Sequence, residues 1–301
     1  MKSKIKDFLR RIAHGPLEPV FCVTWDLLSR AWIRILKLWW DLTGAPMPTP
    51  EAQALVRENV TFLYKSFERQ KKAKKLYRNI QHYYPGARVV IADDSKVPLE
   101  LEGEGLTLIY LPFNSGLSRG LNAALAQVQT PFAMRMDDDE LLTPFSGIHR
   151  QLKFLMEHPE VDLVGVLPRS IPFGGKWQNQ KDAYFRQSMA HSPNRLKIPH
   201  LTWLDKTHVV LGKLPNIFLA RTEKYRALGY DDNIRMIDHQ EFFFRAAGRL
   251  VSVLDTASYV LHYHNRFNRH YLAFRADVDG DRMYIARKYA VQKTPGNPDR
   301  Q

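Results

Sequence analysis

Cysteine is almost absent: Cys22 stands alone in 301 residues, so no disulfide can form within the chain. That suits a reducing compartment. Long apolar runs are missing as well. None reaches the roughly 20 residues that a membrane-spanning helix needs. Nor does one follow the basic start (Lys2, Lys4, Lys6, Arg10, Arg11) in the manner of a signal peptide. There is no internal repeat, which removes solenoids and propellers. Acidic side chains are scarce beside basic ones, 31 against 44, for a net charge of +13. An excess of this sign points to a polyanionic partner: nucleic acid, an anionic membrane or a phosphorylated small molecule. No zinc-finger or RNA-recognition pattern accompanies it, and Lys71, Lys72, Lys74 and Lys75 read as a solvated helix face. A nucleic-acid partner is therefore not expected, although a basic nucleic-acid-binding protein stays as an alternative.

What is present is an ordinary globular balance, 45% hydrophobic and 25% charged residues, enough for a sizeable core. Residues 1–50 form a first region that ends in the breaker-rich stretch Gly44-Ala-Pro-Met-Pro-Thr-Pro50, read as a linker. Between Phe21 and Leu42 large apolar groups dominate, among them Trp25, Trp32, Trp39 and Trp40, while Asp26, Arg30, Arg34, Lys37 and Asp41 recur at helical spacing. Two readings fit: a helix lying in the interface of an anionic membrane, or a helix packed on the main domain. The first is favoured by so much tryptophan beside so much cation, and the charged stripe argues against a spanning helix.

Residues 51–264 read as a run of β-α units. Strands are expected at Val60–Lys65, Arg88–Ala92, Leu106–Leu111, Pro131–Met136 and Val161–Leu167, with helices at Lys71–His82, Ser118–Ala126 and Gly147–Glu157 between them. The pattern implies a mostly parallel central sheet flanked by helices. Ser170–Thr207 has weak periodicity and reads as a long excursion. Residues 265–301 form a basic tail with one helix around Arg269–Tyr289.

Sheets of this kind bind ligands at the carboxyl ends of their strands, and two acidic clusters fall there. Asp137-Asp138-Asp139 can serve a nucleoside diphosphate and its divalent cation, since Mg²⁺ and Mn²⁺ take hard oxygen ligands beside phosphate. Asp93-Asp94-Ser95 can accept from a nucleobase N–H. Each cluster alone would equally suit a capped turn; their shared position favours function. Asn114 to Asn122 is a glycine-containing loop opening a helix, where backbone amides and Arg119 can face phosphate. Asp238, His239 and Glu241 begin another helix and are candidates for the base that takes an acceptor's proton. His262 and His264 alternate onto one face, where one can join a metal site.

Taken in order, Lys65-Ser-Phe-Glu-Arg69, Tyr84-Pro85, Val89-Val-Ile-Ala-Asp-Asp-Ser95, Gly116 to Asn122, Asp137 to Asp139, Asp162-Leu-Val-Gly165, Asn216-Ile-Phe-Leu-Ala-Arg221, His239-Gln-Glu-Phe-Phe243 and His264 form a set. The set resembles the ganglioside GM2/GD2 synthase type of β-1,4-N-acetylgalactosaminyltransferase, and more broadly the inverting family-2 glycosyltransferases of GT-A fold. The resemblance implies transfer of a hexose or N-acetylhexosamine, UDP-GalNAc-like donors favoured, to a glycan or glycolipid acceptor. It implies Mn²⁺ or Mg²⁺ held by Asp137, Asp139 and His264. Nucleotide-sugar contacts are implied at Lys65, Ser66, Arg69, Asp93, Asp94, Gly116, Arg119, Asn122, Asp137 and Asp138, and a base at Asp238, Glu241 or His239. The pattern's Arg before Asn122 is here Leu121, which puts phosphate contacts there in doubt. The family's animal members carry a spanning anchor and a lumenal stem; their lack implies a bacterial-type enzyme on the cytoplasmic face of a membrane. A non-catalytic membrane-bound partner of the same fold is the remaining alternative.

Overall fold

The computed structural model describes residues 15–172, 182–186, 192, 194–265, 267–276 and 278–289. The basic start and much of the Ser170–Thr207 excursion lie outside them. The apolar run after residue 17 forms one long helix, α1 (Glu18–Leu42). The expected linker is short: Thr49 caps a second helix, α2 (Pro50–Asn59), its hydroxyl accepting from the Ala52 amide, with Pro50 at the position where a missing N–H is harmless.

The β-α units follow as β1 (Val60–Ser66), α3 (Gln70–Tyr83), β2 (Arg88–Asp93), β3 (Leu106–Tyr110), α4 (Leu117–Ala126), β4 (Phe132–Arg135), β5 (Glu140–Leu141), α5 (Ile148–Glu157) and β6 (Leu163–Ser170). The remainder is β7 (His208–Val210), β8 (Phe218–Arg221), α6 (Thr222–Leu228), α7 (Asp238–Ala246), β9 (Ser252–His262), α8 (Arg269–Ala276) and α9 (Asp279–Lys288). The expected single C-terminal helix is thus two. β1 is buried along nearly its whole length, as a central strand covered on both faces must be. Val56, Phe62, Leu76, Ile80, Met134 and Leu152 belong to one large apolar cluster, and Leu63, Leu121, Phe218 and Phe242 to a second.

The strand order is β3-β2-β1-β4-β8-β6-β9-β5, with β7 on β9. β1 to β4 pair in parallel, as their spacing predicts. Beyond them the sheet is mixed: β8 runs antiparallel to β4 and β6, β6 is parallel to β9, and β5 and β7 are antiparallel to β9. The expectation of a mostly parallel sheet therefore holds for one half only. In the other half β8 enters from the opposite end after the long excursion. The chain adds β2 and β3 on one side of β1, then crosses to place β4 on the other. Such a reversal leaves a crevice at the strands' carboxyl ends, and Ser66, Asp93 and Asp137 lie at or just beyond those ends.

Of the two readings of its sequence, α1 meets the packed one and leaves a second apolar face uncovered. One face packs on the domain: Ile33 and Trp40 are buried with Leu141, Ile171, Leu261 and Tyr263. Trp25 donates its indole N–H to the His264 carbonyl (3.0 Å), and Asn265 donates to Asp26 (2.8 Å) and to the Cys22 carbonyl (3.0 Å). A second face stays in solvent, where Val20, Leu27, Ile35 and Leu38 are 58–60% exposed and Trp32, Trp39 and Leu42 join them. Arg30, Arg34, Lys37 and Asp41 run between these two faces, following the 3.6-residue period.

Candidate active site

Register brings the central group together. β5 pairs with β9 so that Glu140 lies opposite His262 and Leu141 opposite Leu261. One residue outward, the Tyr263 amide donates to the Asp139 carbonyl (3.0 Å). The imidazoles of His262 and His264 therefore flank the Asp139 carboxylate, at 3.7 Å and 3.2 Å. One ligand atom from each of the three lies within 4.8 Å of the others. A buried carboxylate with two imidazoles fits a borderline cation such as Mn²⁺ better than Mg²⁺, which prefers oxygen alone.

The guanidinium of Arg69, just past the end of β1, spans the same carboxylates. It bonds Asp139 at 2.7 Å and Asp138 through both Nε (3.1 Å) and Nη2. It rests on the Tyr271 ring, 4.0 Å from its centroid. Lys72 adds a further cation, 3.7 Å from Asp139. Burial works against both charges, yet Arg69, His262, His264 and Lys72 together hold Asp139 well below the usual carboxylate range. Burial prevails at Asp138 and, against Arg69, pushes it up to about 6. Asp137 is turned elsewhere, paired with Arg135 at 2.9 Å. Asp137, expected as a ligand, is thus absent from this candidate metal group, which includes His262 instead.

The second acidic strand end converges on the first. Asp94 pairs with Lys65 (2.5 Å) and accepts from the Gly116 amide (3.3 Å). Lys65, Asn114, Gly116, Asp137 and Asp138 line one narrow cleft, closed from above by Tyr271, Phe274 and Arg275 of α8. On its other side Asp137 borders a wider cavity of about 480 Å³, with Glu140, Lys213, Asn216, His239 and His262. His239 engages the Leu214 carbonyl through Nε2 (2.7 Å). Burial, then Lys213 and Arg135, holds its pKa well below the ordinary histidine value, so the ring is neutral near pH 7. The neighbouring Asp238 is buried with one oxygen lacking a partner, and burial against Arg135 raises it to about 6.

A family model described as glycosyl transferase family 2 matches residues 62–213. The chain belongs to this family. It is 33% identical over 207 residues to mouse (Mus musculus) beta-1,4 N-acetylgalactosaminyltransferase 2, a match covering 68% of this chain and 39% of that protein. It is 30% identical over 223 residues to beta-1,4 N-acetylgalactosaminyltransferase 1 of Rattus norvegicus, with the same shares covered. The match thus spans well under half the length of these curated relatives. An uncharacterized glycosyltransferase of Haemophilus influenzae is 32% identical over 122 residues, 40% of this chain and 41% of that one.

Among solved structures, S. aureus TarS superposes with a TM-score of 0.51 at 16% identity, covering 79% of this chain and 74% of that one. The mannosyltransferase PcManGT of Pyrobaculum calidifontis, solved with GDP-Man and Mn²⁺, gives 0.51 at 16% identity, covering 88% and 76%. GalNAc-T7, solved with UDP, GalNAc and Mn²⁺, gives 0.50 at 13% identity, covering 68% and 43%. These likenesses identify the GT-A fold expected from the sequence.

Within this family-2 chain, several residues singled out from the sequence serve the scaffold instead. Asp93 accepts from the Ser95 hydroxyl (2.7 Å) and the Leu99 amide (2.8 Å), pinning the loop after β2. Asn122 holds the segment before α7, donating to the Tyr230 carbonyl and Asp232 and accepting from the Tyr230 amide. Arg119 is exposed and bonds the Asp232 carbonyl at 3.2 Å, away from the cleft. Leu121, where the family pattern has Arg, is fully buried in the core. Glu241 is drawn into a separate network with Arg245 (2.7 Å), Tyr289 (2.6 Å) and Lys288 (2.9 Å). Burial raises its pKa, but those bonds win and lower it, so a base role has no geometric support. Ser66 is buried, its hydroxyl without a partner.

Three contributors escaped the sequence reading. Arg135 is fully buried and orients Asp137; an arginine inside an apolar strand just before the triple aspartate was the available signal. Glu140 accepts from the Asp137 amide at 2.9 Å and helps shape the acidic turn. Gly120 lies under Lys65, where a Cβ would sit 2.6 Å from the lysine Cδ, so only glycine lets Lys65 cross α4 toward Asp94.

Proposed function

We propose that the chain is an inverting, metal-dependent glycosyltransferase that moves a sugar from a UDP-sugar, UDP-GalNAc-like donors favoured, to a hydroxyl of a glycan or glycolipid. The observation that carries this is convergence: at the sheet's switch point Asp137 and Asp138 line one cleft with Lys65, the partner of Asp94, beside a cluster of Asp139, His262 and His264. The names of the relatives, N-acetylgalactosaminyltransferases, support the donor class.

Asp139, His264 and His262 would hold Mn²⁺. When bound, the cation neutralises charge that develops on the departing diphosphate. Lys65 and Arg69 supply fixed positive charge along the same cleft. The acceptor oxygen attacks the anomeric carbon as the bond from that carbon to the diphosphate oxygen breaks, and UDP departs with the bonding pair. The acceptor's proton passes to His239, the one of the three base candidates that lines the wide cavity.

The reading includes a membrane. No helix among the described residues is long and apolar enough to cross one. The outward face of α1, with Trp32, Trp39, Ile35, Leu38 and Leu42 exposed beside Arg30, Arg34 and Lys37, suits a helix lying in the interface of an anionic bilayer. We place the enzyme at the cytoplasmic face of a bacterial membrane, consistent with the Haemophilus influenzae relative.

The test is nucleotide release from a panel of UDP-sugars with Mn²⁺ and glycan acceptors. Turnover with at least one UDP-sugar, lost on chelation, is expected. A chain that releases no UDP from any donor overturns the proposal.

A further inference from the structure

Among the described residues, several cations without an ion pair gather where α1 meets α3. Lys72 and Lys75, one turn apart on α3, both lean on the Tyr263 ring at 4.7 Å from its centroid. Lys72 then turns toward the cleft, donating to the Tyr263 carbonyl (3.0 Å) and approaching Asp139. Lys75 faces α1 instead, since the Tyr263 ring it leans on is packed with Ile33 and Trp40, and Arg30, Arg34 and Lys37 flank Ile33 on that helix. Burial, followed by the charges of Lys37, Arg30, Lys72 and Arg34, lowers it to about 8. The acids of the α1 stripe lie beyond these cations on either side: Asp26 is bonded to Asn265, and Asp41 acts on Tyr83. Among the described residues none of Arg30, Arg34, Lys37 and Lys75 enters an ion pair, although the structure forms such pairs freely elsewhere.

Like charges gathered around a half-buried ammonium repel one another. An anion with several oxygens relieves that, and guanidinium forks match phosphate geometry. Position narrows the choice of anion. The stripe lies along α1 between its packed face and its exposed apolar face. With the apolar face in lipid, the stripe lies at headgroup depth.

We infer that Lys75, together with Arg30, Arg34 and Lys37 of α1, forms a binding site for the phosphate of an anionic phospholipid headgroup. This rests on the membrane reading above and adds a located site to it. The enzyme would then recognise the charge of its membrane at one notch between anchor and domain, distinct from a diffuse field over the whole basic surface.

The test compares partition of the full chain onto phosphatidylglycerol vesicles and onto neutral phosphatidylcholine vesicles by co-sedimentation. The wild type is expected on both, and more tightly on phosphatidylglycerol. Lys75→Gln combined with Arg34→Gln should weaken partition onto phosphatidylglycerol about thirtyfold, the effect of two cations at an anionic surface, and leave phosphatidylcholine unchanged. Lys74→Gln with Arg78→Gln removes the same charge from α3 outside the notch and should cost less than about threefold. Equal losses from the two pairs would show a diffuse field and overturn the site while the membrane reading stands. Failure of the wild type to bind either vesicle would overturn both. Millimolar inorganic phosphate should not displace the protein from phosphatidylglycerol; if it does, the notch takes soluble phosphate and the lipid assignment falls.

Discussion

At the scale of single residues, the three aspartates that look alike in sequence have three different jobs. Asp139 keeps its charge among two imidazoles and two cations, Asp138 shares Arg69, and Asp137 turns to Arg135. Asp139→Asn should therefore weaken Mn²⁺ binding at least about a hundredfold by calorimetry, while Asp137→Asn should change it far less. Equal effects would return Asp137 to the ligand set. Asp238 and His239 are separable by pH and stability. Folding raises Asp238 to about 6 from 3.8, so it favours the neutral carboxyl. That stabilising contribution is complete below about pH 4 and is lost as pH rises through 6. Above pH 6 the buried charge is a burden of up to about 3 kcal/mol. Asp238→Asn should accordingly raise the melting temperature at pH 8 and not at pH 4, with turnover within about tenfold of wild type. His239→Gln should reduce kcat by about a hundredfold or more. The reverse pattern of rates would make Asp238 the base. Sequence showed which residue types gather here, because carboxylates at strand ends are conspicuous. It did not show that Asp93 and Asn122 are spent on loops, since a pinning carboxylate and a binding one look the same until their partners are visible.

At the scale of elements, the parallel half of the sheet was legible because its strands are short apolar runs separated by helical periods. The antiparallel half was not, as β5 is two residues long and its pairing with β9 is a long-range register that no local pattern encodes. That same register sets His262 beside Asp139, so part of the candidate site was hidden for the same reason. α8 was expected only as tail, yet Phe274 packs on Phe67 (5.1 Å) and Phe113 (5.8 Å) over the narrow cleft. The cleft beneath it has room for only about 40 Å³, far less than a nucleoside diphosphate needs. If the donor binds here as proposed, its entry requires α8 to shift. Phe274→Ala should accelerate UDP association severalfold in stopped-flow binding. A slower or weaker association would show instead that the ring forms part of the bound nucleotide's surface.

For the whole molecule, cleft and cluster should respond as one binding unit. UDP with Mn²⁺ at about a hundredfold above its dissociation constant should stabilise the fold by about 2.7 kcal/mol, read as a higher melting temperature that chelation abolishes. UDP alone should give much less. Composition and charge foretold a globular, basic protein, but not how its first helix joins the domain. Removing residues 1–43 would bare Leu141, Leu261 and Tyr263 and take away the Trp25 and Asp26 contacts to His264 and Asn265. The truncated chain should aggregate more readily by light scattering and bind Mn²⁺ more weakly than the full chain.

The bond from the Trp25 indole to the peptide of His264 has a mechanical consequence. The helix proposed to ride the bilayer and the imidazole proposed to grip the cation are thereby linked, and the Asn265 bonds to Asp26 and Cys22 stiffen the same joint. On that proposal, a change in lipid packing that rocks the helix would be felt in the aim of the ligand. A freely soluble version of this enzyme is therefore better made by recolouring the outward side of α1 with polar groups than by cutting the helix off.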